Sequence, residues 1–106
     1  MSLYNELFGW FDMIGNYEER VVKNDQTAKF TVDTALVTDR SWQYETAVAH
    51  KDFNDGAWII LEGADTKEKA IEVHEKWLAK LSSDDVTELA DCFTSTIYRR
   101  QKGVKV

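Results

Sequence analysis

The chain has 106 residues, of which 43% are hydrophobic and 12% aromatic, enough for one domain with one core. It carries 19 acidic and 13 basic side chains, a net charge of −6, with no proline and one cysteine. These values argue against a disordered chain, a disulfide framework, a multi-cysteine zinc module and general nucleic-acid binding. No apolar run approaches about 18 residues and no signal-peptide pattern begins the chain, so we expect neither a membrane-spanning helix nor a secretory leader.

The first predicted element is a helix over residues 3–14, where apolar side chains recur at helical spacing. Phe8, Trp10 and Phe11 cannot all face inward from one helix, and Trp10 leaves its apolar stripe. Exposed aromatic side chains mark partner or subunit surfaces, so these three residues are predicted to form an interaction surface. The alternative is that they close the underside of a sheet.

Between residues 17 and 63 apolar residues recur at every second position, which predicts three or four antiparallel strands in a meander. The candidate strands are residues 18–23, 30–38, 42–50 and 57–62, with turns predicted at Asn24-Asp25 and Asn54-Asp55-Gly56. The last candidate is apolar on both faces, so we expect a central strand that is covered on both sides. The second cover would be the N-terminal helix, a terminal helix or another subunit.

Two helices are predicted after the sheet. Asp65 is the expected N-cap of the first, with Glu68 at the capping-box position. A second helix is predicted from apolar residues at positions 86, 89, 90, 93 and 97. The predicted fold is a single α+β domain over residues 1–106, in which an antiparallel three- to four-stranded sheet packs with an N-terminal helix and two C-terminal helices.

The charge is divided unevenly along the chain. Residues 1–98 contain all 19 acidic residues and nine basic ones, a net charge of −10, whereas residues 99–106 contain four basic residues and no acidic one. We expect this basic tail to be flexible and solvated, a favourable position beside a helix C-terminus. Contact of the tail with phosphate or with an acidic partner is the alternative.

Three side chains are candidates for metal binding or nucleophilic chemistry: His50, His74 and Cys92. Their spacing is not that of a zinc site, so we predict no metal and no cofactor. Cys92 has no neighbouring base, and the adjacent Asp91 would raise its pKa. His74 lies at the centre of an apolar helical stripe, which is typical of a core histidine bonded to a carbonyl or carboxylate. The predicted structural core motif comprises His74, Trp77, Tyr44 and Trp58.

Four carboxylates are predicted to share one face of the sheet: Asp33, Asp39, Glu45 and Glu62. Such a face is usually solvated. It could also imitate the phosphates of DNA, which would make the protein an acidic inhibitor of a host nucleic-acid enzyme.

Several short motifs follow one another in a fixed order: Tyr-Glu-Thr at 44–46, the Asn-Asp-Gly turn at 54–56, an apolar strand ending at Glu62, Thr-Lys-Glu-Lys-Ala at 66–70, and His74 three residues before Trp77. The stretch of residues 38–81 that holds them resembles a group of small proteins from tailed bacteriophages and prophages. The resemblance implies a compact protein of the host cytoplasm or the virion, and it implies no catalytic residue.

The leading hypothesis is therefore a non-enzymatic phage or prophage protein that acts through protein–protein contacts, as a minor virion, assembly or accessory factor. Its partners would be a second copy of the chain or a phage or host protein, and neither membrane nor nucleic acid. The alternatives are the acidic inhibitor and a small metal- or thiol-dependent enzyme that uses His50, His74 or Cys92.

Overall fold

The computed structural model describes residues 20–38 and 40–101. This part of the chain contains one long helix and six strands, which are β1 (Val21–Gln26), β2 (Phe30–Leu36), β3 (Tyr44–His50), β4 (Trp58–Ala64), α1 (Lys67–Ser82), β5 (Glu88–Asp91) and β6 (Thr96–Arg99). The predicted N-terminal helix lies outside the described residues. No helix among the described residues is long and apolar enough to cross a membrane.

Strands β1 to β4 form an antiparallel meander in chain order, which confirms the α+β class and the predicted sheet. Strand β1 continues through Asn24 and Asp25, where a turn was predicted, and the reversal falls at residues 27–29 instead. Both polar residues have tertiary partners that hold them in the strand. The Asn24 amide donates to the Asp33 carboxylate on β2 at 2.8 Å, and Asp25 bonds to the ring of His74 on α1.

The connection from β3 to β4 is the predicted Asn-Asp-Gly turn. Asn54 and Asp55 have φ of 54° and 53° and Gly56 has φ of 84°, which is left-handed backbone that these three residue types tolerate best. Strand β4, predicted to be central, is the last strand of the four-stranded sheet. Its outer edge is nevertheless covered, because the Cys92 N–H donates to the Ile60 carbonyl at 2.8 Å.

Helix α1 crosses one face of the sheet and packs against all four of its strands. It begins one residue later than predicted: Thr66, not Asp65, is the N-cap, and its hydroxyl accepts a hydrogen bond from the Lys69 N–H at 3.1 Å. The apolar core between helix and sheet comprises Phe30, Val32, Val48, Phe53, Ile59, Leu61, Leu81 and Leu89. Burial of this apolar surface is the main force that holds the two layers together.

The second predicted C-terminal helix is wrong, because residues 88–99 form the β5–β6 hairpin. Leu89 and Asp91 are buried while Glu88 and Ala90 are exposed, so the burial alternates with a period of two. The turn contains no glycine or proline that would have signalled it, although Ser95 has φ of 64°. The Asp91 carboxylate stabilises the turn, since it accepts hydrogen bonds from the N–H groups of Phe93 and Thr94, both at 2.9 Å.

The first residues of the predicted flexible tail are part of the folded structure. Arg99 ends β6, and the Arg100 guanidinium lies 2.5 Å from the Asp52 carboxylate and 3.3 Å from that of Asp84. The Gln101 N–H donates to the Asp52 carbonyl at 2.7 Å. Residues 102–106, with the remaining two lysines of the tail, lie outside the described residues.

Candidate functional site

A chain of hydrogen bonds runs from the interior of the sheet to its surface through His74. The Thr34 hydroxyl lies 2.6 Å from that of Thr46 and 2.8 Å from Nδ1 of His74, and Nε2 of His74 lies 2.8 Å from the Asp25 carboxylate. The two threonines come from neighbouring strands, and the histidine comes from the helix above them. The imidazole therefore joins α1 to three strands of the sheet.

One set of hydrogen-bond directions is consistent with a neutral His74 ring and an ionised Asp25. In that set Nε2 donates to the Asp25 carboxylate, and Nδ1 accepts from the Thr34 hydroxyl. Thr34 then accepts from Thr46. The bond from His74 lowers the pKa of Asp25. Every polar group of this buried network is thus satisfied.

The network has the order of a nucleophile, a base and an orienting carboxylate, but its location is unsuitable for catalysis. A catalytic hydroxyl must reach a substrate. Thr34 and His74 have no exposed surface, and the Thr34 hydroxyl is already bonded on both sides. The arrangement therefore acts as a polar link within the core.

His50 is buried at the end of β3 and lies apart from this network. Its ring stacks on Phe30 with centroids 5.7 Å apart and meets the edge of Phe53 at 5.0 Å. Nδ1 accepts a hydrogen bond from the Asp52 N–H at 3.0 Å, and Nε2 has no partner among the described residues. Burial lowers the pKa of His50, so the neutral ring is favoured.

The other candidate for reactive chemistry, Cys92, lies in the turn of the hairpin. Loss of hydration and the nearby carboxylates of Asp91 and Glu45 raise the pKa of its thiol. A raised pKa disfavours the nucleophilic thiolate. Within residues 20–38 and 40–101, no three His, Cys, Asp or Glu side chains are placed to hold a metal ion.

The predicted acidic face is not assembled by the members that the structure describes; Asp39 lies outside them. Asp33 and Glu45 each precede a threonine that faces the helix, so by strand alternation they lie on the opposite face of the sheet. Glu62, in contrast, lies on the helix side. A β-bulge between residues 46 and 47 changes the register of β3 against β4 at this point.

Each of these carboxylates has a local partner. Burial raises the pKa of Asp33 to about 6, although Asn24 donates to it. Glu45 accepts from the Arg40 guanidinium at 2.9 Å and from the indole of Trp42 at 3.1 Å. An acidic surface that must bind a partner needs carboxylates free for that partner, and these side chains are already bonded within the fold.

The core motif is dispersed across the structure. Trp77 stands on the helix side, where its indole N–H donates to Glu62 at 3.0 Å. Burial opposes the ionised form of Glu62, but the bonds from Lys76 and Trp77 outweigh it and lower the pKa. Tyr44 and Trp58 are half-buried at the beginnings of β3 and β4. The four residues therefore lie on three elements, α1, β3 and β4.

Among the described residues, the two large apolar side chains with the greatest exposure lie in the hairpin. Phe93 in the turn is 55% exposed and Ile97 on β6 is 60% exposed. The Arg40 guanidinium carbon lies 3.9 Å from the centre of the Phe93 ring. We call Phe93, Ile97 and Arg40 the hairpin patch. Sequence reasoning missed it, because positions 93 and 97 fitted the buried stripe of a predicted helix.

The predicted surface of Phe8, Trp10 and Phe11 lies outside the described residues. Comparison of the chain with protein-family models, curated proteins and solved structures finds no match.

Proposed function

We propose that this chain is a non-enzymatic protein of a tailed bacteriophage or prophage, a virion, assembly or accessory factor, that acts through protein–protein contacts. The observation that carries the proposal is the hairpin patch. Two large apolar side chains stand exposed on a short β-hairpin, and an arginine lies over one of them. Exposed apolar side chains next to arginine are typical of the energetic centres of protein interfaces.

The residues that carry the phage resemblance support a scaffold interpretation. Tyr-Glu-Thr begins β3, Asn-Asp-Gly forms the turn before β4, and Thr66 caps α1. His74 and Trp77 bond to side chains of the sheet. Each motif has a structural role, so a shared fold explains the pattern without a shared reaction.

The location of the reactive groups supports the same interpretation. The Thr34 hydroxyl and both histidines are buried, and the thiol of Cys92 has a raised pKa. The acidic-inhibitor alternative requires a continuous acidic face, which the described carboxylates do not form. The surface of Phe8, Trp10 and Phe11 is proposed as a second contact region.

The test uses the purified chain as bait in lysates of induced or infected host cells. Phe93→Ser removes the aromatic ring of the patch, and Ile71→Ser on α1 is the matched control, because Ile71 is also an exposed apolar residue. Sedimentation velocity of the same three proteins measures self-association. We expect the wild-type chain and Ile71→Ser to retain the same partner, or to self-associate equally, and Phe93→Ser to lose that contact.

The opposite result would be a wild-type chain that stays monomeric and retains nothing beyond the bare resin. Identical retention by all three proteins would also contradict a role for the patch. The genomic position of the gene tests the origin, since a location outside any phage or prophage would contradict it. A location among capsid and tail genes favours a virion or assembly role, and one among early genes favours an accessory role.

A further inference from the structure

Strand β6 pairs with β5 along one edge, and no described residue pairs with its other edge over Thr96–Arg99. The Gln101 N–H, two residues beyond Arg99, donates to the Asp52 carbonyl at 2.7 Å and limits the free edge to β6 itself. The Arg100 N–H donates to the Thr87 carbonyl across the hairpin at 3.0 Å. Hydrogen-bonded and non-hydrogen-bonded positions alternate along an antiparallel ladder, so Tyr98 also bonds inward to β5. The N–H and C=O groups of Ile97 and Arg99 therefore point away from the hairpin, where they can accept another strand.

We propose that this edge binds an extended segment of a partner protein, which adds a strand next to β6 and presents an acidic side chain two residues from an apolar one. An unpaired strand edge is a template for such addition, because the backbone supplies affinity and alternate side chains supply specificity. The inference rests on the proposed function and specifies how the contact is made.

The side chains of β6 indicate the chemistry of that segment. Ile97 and Arg99 are two residues apart and therefore point to the same side of the hairpin, opposite to Tyr98, which packs against the core. The Ile97 side chain is 60% exposed and that of Arg99 is 82% exposed. A neighbouring strand would place an apolar residue beside Ile97 and an acidic residue beside Arg99.

The charge of Arg99 favours an acidic residue on the added strand. The neighbouring Arg100 guanidinium already pairs with Asp52 and Asp84, whereas the Arg99 side chain is 82% exposed. The closest carboxylate to Arg99 is that of Glu88, at 3.6 Å with both side chains largely exposed, and such a pair contributes little energy. The Arg99 guanidinium can therefore exchange this contact for a carboxylate of the added strand.

A second copy of the chain fits the same edge less well. Two-fold pairing of β6 would bring the Arg99 side chains of both copies to the same short edge and would supply no carboxylate for either of them. A four-residue strand is also short for a stable dimer, whose interface usually buries about 1,200–2,000 Å². A short acidic segment needs only the backbone of β6 and the side chains beside it.

The test measures binding of two blocked peptides to the full chain by fluorescence anisotropy at low salt. In one peptide valine and glutamate occupy alternate positions two residues apart, with threonine between them, so that both lie on one face of the added strand. In the other peptide lysine replaces the glutamate. We expect the glutamate peptide to bind at least about tenfold more tightly and to weaken as salt is added, because screening reduces contacts between exposed charges. Equal affinity for the two peptides would overturn the proposal.

Two variants separate the backbone contact from the charge. Arg99→Gln removes the charge alone, and Arg99→Pro also removes an outward N–H, a change that edge strands tolerate. We expect the proline variant to bind about tenfold more weakly than the glutamine variant, while both unfold at temperatures close to the wild type. Equal binding by the two variants would contradict strand addition.

Modified peptides give the same test without changing the protein. Methylation of the valine and glutamate amides blocks one edge of the peptide, and methylation of the threonine amides blocks the other, so one pattern should abolish binding and the other should not. Binding of both methylated peptides would overturn the proposal, as would self-association that Arg99→Pro abolishes. If these tests fail while Phe93→Ser still loses its partner, the proposed function stands without this mode of binding.

Discussion

Helix α1, on one face of the sheet, and the β5–β6 hairpin, at the outer edge of β4, differ in which side chains they bury. Beneath α1, polar groups of the sheet are bonded to one another through His74. The hairpin, in contrast, leaves Phe93 and Ile97 exposed to solvent. In the His74 network polar groups are buried and satisfied, and in the hairpin apolar groups are exposed.

This difference indicates which region maintains the fold and which is suited to a partner. An unsatisfied buried polar group costs stability, so a fully bonded network specifies one packing of helix and sheet. Exposed apolar side chains contribute little to folding, and they gain free energy only when another surface covers them. Substitutions should therefore change stability in the first region and binding in the second.

The largest expected loss of stability follows from His74→Ala. The substitution leaves a cavity and removes partners from both Thr34 and Asp25. We expect the free energy of unfolding in urea to fall by about 3 kcal/mol. Glu72→Ala on the exposed side of α1 is the control, with a change below about 0.5 kcal/mol. A loss below about 1 kcal/mol for His74→Ala would contradict the role of the network.

The strands and helix next to this network were largely predictable, because their periodicity and their burial agree. Strand β3 alternates in sequence, and Thr46 and Val48, two residues apart on one of its faces, are buried. The apolar stripe that contains His74 faces the sheet. The identity of the partners of His74 was not predictable, since Asp25 and Thr34 approach it only through tertiary packing. For the same reason Asn24-Asp25, a turn by local preference, lies within β1.

The hairpin was mispredicted because two periods coincide there. Leu89, Phe93 and Ile97 are spaced four apart, which fits one face of a helix, yet four is also a multiple of the strand period. The Asp91 carboxylate that holds the turn acts through backbone N–H groups, including that of Ile60 on β4. Only the tertiary structure shows that contact, so the hairpin patch could not be found by periodicity.

The next largest effect is expected from Asp33→Asn and depends on pH. Burial raises the pKa of Asp33 from 3.8 to about 6, so the folded state binds the proton more tightly than the unfolded state. Protonation of Asp33 therefore adds to the free energy of unfolding at low pH, and this contribution is lost as the pH rises through about 6. The unfolding free energy of Asp33→Asn relative to the wild type should therefore rise by about 2 kcal/mol between about pH 4 and pH 8.

Asp65→Asn is the matched control for this profile, because Asp65 is exposed. Over the same pH range its difference from the wild type should change by less than about 0.5 kcal/mol. If the unfolding free energies of Asp33→Asn and the wild type changed in parallel with pH, the predicted contribution of Asp33 protonation to stability would be contradicted.

A smaller effect distinguishes two glycines at either end of β4. A Cβ on Gly63 would clash with the Trp42 ring, so Gly63→Ala should cost about 2 kcal/mol by displacing the indole. A Cβ on Gly56 would have no neighbour within 4 Å, so Gly56→Ala should cost about 1 kcal/mol through its φ of 84° alone. Thermal unfolding checks both. Adding Trp42→Leu should reduce the cost of Gly63→Ala and leave that of Gly56→Ala unchanged.

The most direct test of the division between the two regions measures stability and partner binding for one pair of variants. Thr34→Val alters the buried network, and Phe93→Ser alters the hairpin patch. We predict that Thr34→Val lowers the free energy of unfolding by about 1–2 kcal/mol and binds the captured partner like the wild type. Phe93→Ser should stay within about 0.5 kcal/mol of the wild type and lose the partner. A stable Phe93→Ser variant that binds with wild-type affinity would contradict the account.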